Sequence, residues 1–359
     1  MRRIDQILPT IVYGDAVSND AIAIMNLLRG FGYKSDIFAE NIGNNINEQI
    51  KYVKDYKIHD SKDILIYHMS TGSELSSKMQ EFTKGIKVMI YHNITPSEFL
   101  CSFNTECSSL VDSGRKQLKE LSSTFDYAIA DSEYNRLELE AFNYKNTRVM
   151  PIIIPFKDFE KEADKNLLSK YSDGKVNFLF VGRIAPNKKQ EDIIKSFYYY
   201  KKYFNKDSRL FLVGSYEGME RYFNVLKLLV EKLELEDVYF TGKTSFSEML
   251  AYYKTANAFI CMSEHEGFCV PLIESMYFNV PIIAYESSAI PYTMENSGII
   301  VKEKDYKLIA GLLDKVVKDE RVKELLVSGQ RKRLQFFSSE NSKIYLKNIL
   351  NEIIGDNNE

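Results

Sequence analysis

Residues 258–276 read AFICMSEHEGFCVPLIESM, and the order of these residue types decides the fold class. The first five residues are apolar and suit a buried β-strand. Pro271 suits the first turn of a helix, because the N–H that proline lacks would have no partner there. Polar residues and Gly267 separate the two segments. A strand that leads through a short polar loop into a helix is the unit of an α/β fold with a parallel sheet.

The same step from strand to helix recurs along the whole chain. Apolar, β-branched or aromatic runs that predict strands lie in the first half at 7–13, 35–39, 63–67, 87–91, 127–130 and 149–154. In the second half they lie at 176–181, 209–213, 238–241, 258–262, 281–285 and 298–301. The sequence therefore predicts two parallel sheets of about six strands each.

The boundary between two domains is predicted at residues 155–165. This segment reads PFKDFEKEADK, which is charged and lacks strand character. We expect one α/β domain at 1–155 and a second at 175–340. The pattern past the last predicted strand is helical, and a helix at 341–359 could pack back on the first domain.

Composition excludes several classes of protein. The chain has 47 Lys+Arg against 50 Asp+Glu, so its formal charge of -3 provides no overall basic field for nucleic acid. No signal-peptide pattern and no apolar stretch of about 18 residues is present, so we expect a cytoplasmic protein. The four cysteines form no CxxC pair and the four histidines lack metal-ligand spacing. We therefore expect free thiols, no metal ion and no cofactor.

Two carboxylates flank the predicted helix start at Pro271. Glu266 lies in the loop ahead of the helix, and Glu274 lies about one turn inside it. The amides that begin the helix can bind an anion. An anion site between two carboxylates suits a ligand with hydroxyls at both ends and phosphates between them, such as a nucleotide sugar. The alternative is that both are solvated carboxylates favoured by the helix dipole.

A second set of candidate ligands follows the predicted strand 176–181. Gly182 and Arg183 come directly after the strand, and Lys188 follows five residues later. A diphosphate that no metal ion neutralises needs cations, which an arginine fork and a lysine supply. The alternative is that both are surface charges on a loop between a strand and a helix.

These residues resemble the pattern of the retaining glycosyltransferases of family 4. Glu266 and Glu274 match the family's E-x7-E motif, while Gly182, Arg183 and Lys188 match its phosphate element. The resemblance implies the GT-B fold, in which two Rossmann-like domains with parallel sheets face each other across an interdomain cleft. It also implies that the first domain takes the acceptor and the second takes the nucleotide-sugar donor.

The resemblance implies a role for each candidate residue. Arg183 and Lys188 would hold the donor diphosphate, Glu266 the hydroxyls of the transferred sugar and Glu274 those of the ribose. The implied catalytic set consists of Arg183, Lys188, Glu266 and His92. The other implied donor-binding residues are Gly182, Gly242, Lys243, Thr244, Gly267, Phe268 and Cys269, with Gly14 and Asp15 near the amino terminus.

His92 extends the resemblance to the first domain, and two other residues depart from the family pattern. His92 follows the predicted strand 87–91 and matches a histidine that contacts the transferred sugar or the acceptor; alternatively, it is a buried histidine that closes a strand end. Lys189 stands where a glycine is common. Asp15 replaces the second of two glycines and adds a negative charge where a backbone would approach the ligand.

The sequence therefore predicts a retaining, metal-independent hexosyltransferase. The enzyme would move a sugar from a UDP- or GDP-linked donor to a hydroxyl of a glycan or a lipid-linked acceptor, in cell-surface polysaccharide or glycoconjugate synthesis. Contact with the inner face of the cell membrane is compatible with the basic cluster at 331–333. Two alternatives stay open: a catalytically silent protein of this fold that binds a nucleotide sugar or acts as a scaffold, and a nucleotide-sugar epimerase.

Overall fold

The computed structural model describes residues 2–12, 14–44, 46, 48–57 and 60–355. The chain forms two compact units. The first unit comprises Met1–Ser97, Ser109–Pro155 and Phe337–Glu359. The second comprises Glu98–Ser108 and Phe156–Phe336.

The first unit is built on a seven-stranded sheet. Its elements, in chain order, are β1 (Ile4–Ile11), α1 (Ala16–Gly30), β2 (Ile37–Ile42), β3 (Lys51–Tyr52), β4 (Ile64–Met69), α2 (Glu74–Lys78), β5 (Ile86–Tyr91), α3 (Thr105–Glu120), β6 (Tyr127–Ala130), α4 (Glu133–Ala141) and β7 (Thr147–Val149). The strand order is β3-β2-β1-β4-β5-β6-β7. The pairings between these strands are parallel.

The second unit is built on a six-stranded sheet. Its elements are α5 (Lys165–Tyr171), β8 (Val176–Val181), α6 (Gln190–Tyr203), β9 (Ser208–Val213), α7 (Glu220–Lys232), β10 (Val238–Gly242), α8 (Phe246–Thr255), β11 (Ala258–Cys261), α9 (Val270–Tyr277), β12 (Ile282–Tyr285), α10 (Ile290–Met294), β13 (Ile299–Val301), α11 (Tyr306–Lys318) and α12 (Glu320–Phe336). The strand order is β10-β9-β8-β11-β12-β13, again in parallel pairs. The prediction of two α/β units with parallel sheets is confirmed.

The last helix, α13 (Ser339–Gly355), belongs to the first unit. Its buried apolar residues are Leu346, Ile349, Leu350 and Ile353, which have the three- and four-residue spacing of one helix stripe. These side chains join the apolar cluster that covers one face of the first sheet. Burial of each such side chain contributes about 1.5–3 kcal/mol, which explains why the chain returns to this unit.

Two details of the first sheet differ from the prediction. β3 contains only two residues, too few to give the alternating pattern that identifies a strand. The strand predicted at 149–154 ends at Val149. Pro151 follows two residues later and has no N–H to donate, so the ladder of hydrogen bonds cannot continue through it.

The described residues include no helix that has both the length and the apolar character of a membrane span.

Candidate functional site

The candidate donor-binding residues of the second unit lie at the carboxyl ends of its strands. Gly182 and Arg183 follow β8, and Glu266 lies in the loop between β11 and α9. β8 and β11 are parallel neighbours, so the loops that follow them begin at the same edge of the sheet. In open parallel α/β sheets, this edge is where ligands bind.

Lys188 and Glu266 form a close ion pair. Lys188 ends the short turn Pro186–Lys188 after β8, and its Nζ lies 2.5 Å from Glu266 Oε2. Their side chains are 21% and 7% exposed. Burial by itself would lower the pKa of Lys188, but the Glu266 carboxylate outweighs it and the pKa is raised. The pair therefore keeps a cation and a carboxylate together at the edge of the sheet.

Backbone contacts fix the two loops that carry this pair. Asn187 Nδ2 donates to the His265 carbonyl at 3.0 Å, and the Glu264 amide donates to the Asn187 carbonyl at 2.8 Å. The Glu266 amide donates to Ser288 Oγ at 2.7 Å. Sequence reasoning missed Asn187 and Ser288, because a polar residue in a loop gives no signal of which distant backbone group it contacts.

Glu274 is buried one turn inside α9. Tyr253 Oη donates to Glu274 Oε2 at 2.6 Å. Burial raises the pKa of Glu274 to about 7, and the hydrogen bond from Tyr253 opposes part of that rise. Cys269 caps α9 and Pro271 lies in its first turn, so the structure places Glu266 and Glu274 on opposite sides of the helix start. Residues Gly267, Phe268 and Cys269 lead directly into that start.

Arg183 makes its described contact on a neighbouring loop. Its side chain is exposed, and Nη2 donates to the Glu217 carbonyl at 2.9 Å. The same loop contacts the segment Glu98–Ser108, which belongs to the second unit. Asn104 of this segment donates to the Gly218 carbonyl at 2.7 Å. The structure thus pairs Lys188 with Glu266. The Arg183 guanidinium lies at the surface, against the loop that follows β9.

Two glycines allow the strand ends to approach closely. The Gly182 amide donates to the Val213 carbonyl at 2.9 Å. Gly214 has φ +149°, and a Cβ added there would lie 2.1 Å from the Gly182 carbonyl oxygen. A side chain at residue 214 would therefore displace Gly182 and the Arg183 that follows it.

The backbone conformation at Lys189 explains why a glycine is common at this position in the family. Its φ of 53° lies in the left-handed region that favours glycine. Its ammonium lies 3.2 Å from Glu264 Oε2. The position requires the backbone conformation that a glycine adopts most easily, although lysine occupies it.

The predicted base-binding residues Gly242, Lys243 and Thr244 end β10 and begin the next loop. Gly242 has φ +68° and its carbonyl accepts from the Gly214 amide at 3.2 Å. Lys243 is exposed and Thr244 is half-buried. This loop is therefore joined through Gly214 to the loop that carries Arg183.

In the first unit, His92 belongs to a buried chain of hydrogen bonds. Gln6 Nε2 donates to the Ala21 carbonyl at 2.9 Å, so Gln6 Oε1 is the atom that lies 2.8 Å from His68 Nε2. His68 Nε2 must then carry the proton, and its Nδ1 accepts from His92 Nε2 at 2.9 Å. Burial lowers the pKa of His92 to about 3. His92 Nδ1 of the neutral ring is consequently an acceptor.

The two histidines differ in how far they are satisfied. Both ring nitrogens of His68 have a partner, whereas His92 Nδ1 has no hydrogen-bond partner among the described residues. Asp131 Oδ2 lies 3.8 Å from His92 Nδ1, and burial raises the pKa of Asp131 well above its ordinary value. The alternative of a buried histidine whose polar atoms all have partners therefore fits His68 and does not fit His92.

Gly14 and Asp15 form the entry to α1. Asp15 is the N-cap of α1 and accepts from the Ser18 amide and the Ser18 hydroxyl, both at 3.0 Å. Gly14 has φ +81° and open space around the position of a Cβ. The Asp15 carboxylate thus occupies the positive end of the helix dipole, where an anionic ligand would otherwise bind.

Sequence comparisons match the second unit to glycosyltransferases. Residues 160–333, just under half of the chain, match the family model described as Glycosyl transferases group 1. The chain is 28% identical over 208 residues to an uncharacterized glycosyltransferase of Methanocaldococcus jannaschii, MJ1069, with 56% of this chain and 51% of that protein covered. It is 27% identical over 200 residues to the capsular polysaccharide biosynthesis glycosyltransferase CapM of Staphylococcus aureus, with 51% and 48% covered. The matched segments span about half the length of these curated relatives.

Comparison with solved structures identifies the fold over nearly the whole chain. Sucrose-phosphate synthase from Thermosynechococcus elongatus has a TM-score of 0.76 at 17% identity and covers 99% of this chain and 100% of its own. Anabaena Alr3699/HepE in complex with UDP-glucose has a TM-score of 0.73 at 13% identity and covers 97% and 99%. The expected GT-B fold is confirmed.

Proposed function

We propose that this protein is a retaining glycosyltransferase that uses a nucleoside diphosphate sugar. One observation carries the proposal: the Lys188–Glu266 pair, 2.5 Å apart, lies at the carboxyl ends of β8 and β11 inside the segment that matches the glycosyltransferase family model. A cation beside a carboxylate suits a donor in which a phosphate adjoins a sugar.

The candidate residues would have different roles in sugar transfer. Lys188 and Arg183 would bind the diphosphate, and Glu266 would accept hydrogen bonds from hydroxyls of the transferred sugar. The leaving nucleoside diphosphate gains negative charge as the bond to the anomeric carbon breaks, so cations directed at it stabilise the transition state more than the ground state. The leaving phosphate would take the proton of the acceptor hydroxyl on the same face of the sugar, which retains the configuration.

Two similar proteins support the proposed donor and acceptor classes by analogy. Anabaena HepE binds UDP-glucose, and CapM takes part in capsular polysaccharide biosynthesis. We therefore propose a UDP- or GDP-linked hexose as donor and a glycan or lipid-linked hydroxyl as acceptor. Cytoplasmic localisation and contact with the inner membrane face stay predictions.

A thermal-shift screen tests this proposal without knowledge of the acceptor. UDP, GDP, ADP, TDP and their sugars would each be added to the purified protein. A ligand that binds only the folded state raises the apparent stability, by about 2.7 kcal/mol at a concentration 100 times its Kd. One base should give a clear shift. No shift with any nucleotide or nucleotide sugar would contradict the proposal.

Activity is expected to survive chelation. Arg183, Lys188 and the N-terminus of α9 supply the positive charge for which other transferases use a divalent ion. Turnover in excess EDTA should match or exceed turnover without it. A loss of activity in EDTA that Mg²⁺ or Mn²⁺ restores would refute this assignment.

Donor affinity is expected to depend on the ionisation of Glu274. Its pKa of about 7 leaves the carboxyl partly protonated near neutral pH, and ribose hydroxyls donate to the ionised form. Affinity for the nucleoside diphosphate should therefore rise up to about tenfold between about pH 6 and about pH 8.

Calorimetry on wild type and Glu274→Gln measures this effect. The amide does not ionise, so the variant should keep only the pH dependence that the phosphates of the ligand contribute. Identical slopes of affinity against pH in the two proteins would exclude Glu274 from the ribose site.

A further inference from the structure

Two buried thiols and the Glu266 carboxylate lie together in the second unit. One ligand atom each from Cys261, Cys269 and Glu266 lies within 4.8 Å of the others. The three residues are 0%, 8% and 7% exposed. Cys261 is the last residue of β11 and Cys269 is the N-cap of α9, so the strand-to-helix loop that carries Glu266 brings them together.

The backbone holds this cluster in place. Cys261 is paired with Ala284 in the parallel ladder, and its Sγ donates to Ser263 Oγ at 3.3 Å. Cys269 adopts φ +67° at the turn into α9. The Cys261 and Cys269 sulfurs therefore lie within 4.8 Å of each other.

Two sulfurs and one carboxylate oxygen are the ligand types of zinc-like ions. Zinc binds thiolate sulfur at about 2.3 Å, so two sulfurs on a tetrahedral ion lie about 3.8 Å apart. Soft thiolates select Zn²⁺ and Cd²⁺ over Mg²⁺, which prefers oxygen. The three ligand atoms, which lie within 4.8 Å of one another, therefore need only small shifts to hold such an ion. The fourth coordination position of the ion stays open.

The charges around this cluster also favour binding of a divalent ion. Lys188, which is 21% exposed, pairs with Glu266 at 2.5 Å. On binding a divalent ion, Cys261 and Cys269 release their thiol protons. The two thiolates balance the charge of the ion, so the net charge of the site does not change.

We propose that Cys261, Cys269 and Glu266 form an inhibitory site for a thiophilic divalent cation, Zn²⁺ or Cd²⁺. The ion takes the Glu266 carboxylate away from Lys188 and occupies the place of the donor sugar. Binding of the ion does not depend on the proposed function. Inhibition of transfer does rest on it.

Cadmium titration under a phosphine reductant tests the site directly. The ultraviolet charge-transfer band of cadmium–thiolate bonds should saturate at one ion per chain. Changing groups around a metal's ligands costs 10–100-fold in affinity, so loss of a ligand in Cys261→Ser or Cys269→Ser should weaken binding at least about tenfold. The matched control is Cys107→Ser, a half-exposed cysteine of the same unit, which should bind as wild type does. Thermal melts establish that each variant is folded.

Three outcomes would overturn the proposal. Unchanged affinity in both Cys261→Ser and Cys269→Ser would remove the thiols from the site. Loss of the band in Cys107→Ser would place the ion elsewhere. A loss of two titratable thiols without metal, reversed by reductant and not by EDTA, would show a Cys261–Cys269 disulfide instead of a metal site.

Competition with nucleotide separates this proposal from the proposed function. If both hold, Zn²⁺ should inhibit transfer and raise the KM for the donor, and EDTA should restore activity in wild type. Nucleotide binding without cadmium binding would overturn the metal site alone. Cadmium binding in a protein that binds no nucleotide sugar would support the site and overturn the function.

Discussion

Replacing Lys188 with methionine is expected to lower affinity for the nucleoside diphosphate about 10- to 150-fold and to slow transfer by a similar factor. A charge-assisted hydrogen bond to the ligand is worth about 1.5–3 kcal/mol, which corresponds to that range. The loss should exceed that in Arg183→Ala, because the Arg183 side chain is exposed and its contacts with ligand are screened by water.

The same substitution should also destabilise the second unit. It leaves the Glu266 carboxylate buried without its cation, and breaking a buried pair in this way costs on the order of 3 kcal/mol. The double variant Lys188→Met/Glu266→Gln removes both charges and should regain most of the lost stability. It should not regain donor affinity, since the cation is still missing.

Lys189→Met provides the matched control. Lys189 adjoins Lys188, its side chain is 26% exposed against 21%, and it pairs with Glu264 instead of Glu266. Calorimetry with the nucleoside diphosphate should give wild-type affinity for Lys189→Met. Equal affinity in Lys188→Met, with the protein folded, would show that Lys188 does not bind phosphate.

Glu266→Gln and Glu274→Gln are expected to change different kinetic constants. Glu266, ahead of α9, should contact the transferred sugar, where its interaction strengthens as positive charge develops at the anomeric carbon. Its loss should lower kcat about 10- to 100-fold. Glu274 should accept from the ribose in both ground and transition states, so its loss should mainly raise the donor KM by a similar factor.

Free nucleoside diphosphate supplies the control for this pair, because it has a ribose but no sugar to transfer. Its affinity should fall in Glu274→Gln and remain near wild type in Glu266→Gln. Tyr253→Phe removes the hydroxyl that donates to Glu274 and leaves the carboxyl in place, so its effect should be smaller than that of Glu274→Gln. The opposite ranking of the two glutamates would show that their roles are reversed.

The parts of the fold that could be predicted are those that local sequence determines. Pro271 has its preferred position in the first turn of α9, and the apolar run before it becomes β11. The two predicted sheets follow from repetition of that step. β3 escaped prediction because two residues show no periodicity, and the segment at 98–108 gives no local sign that it joins the second unit.

The site itself was predicted as residue types and not as contacts. Lys188 and Glu266 are 78 residues apart, and only the parallel pairing of β8 with β11 brings their loops together. The sequence identified both residues as ligands but gave no sign that they neutralise each other in the free protein. The sequence predicted free thiols at Cys261 and Cys269 but gave no sign that they lie together, since their spacing matches no metal motif.

The central claim is that the second unit binds a nucleoside diphosphate sugar so that its sugar can be transferred. The most direct test is release of free nucleoside diphosphate from the donor that the thermal-shift screen identifies, measured with and without a pool of glycan and lipid-linked acceptors. Wild type should release nucleoside diphosphate in an acceptor-dependent manner, and Lys188→Met should release it at least about tenfold more slowly. Tight binding of the donor with no acceptor-dependent release, or equal release by Lys188→Met, would contradict the account.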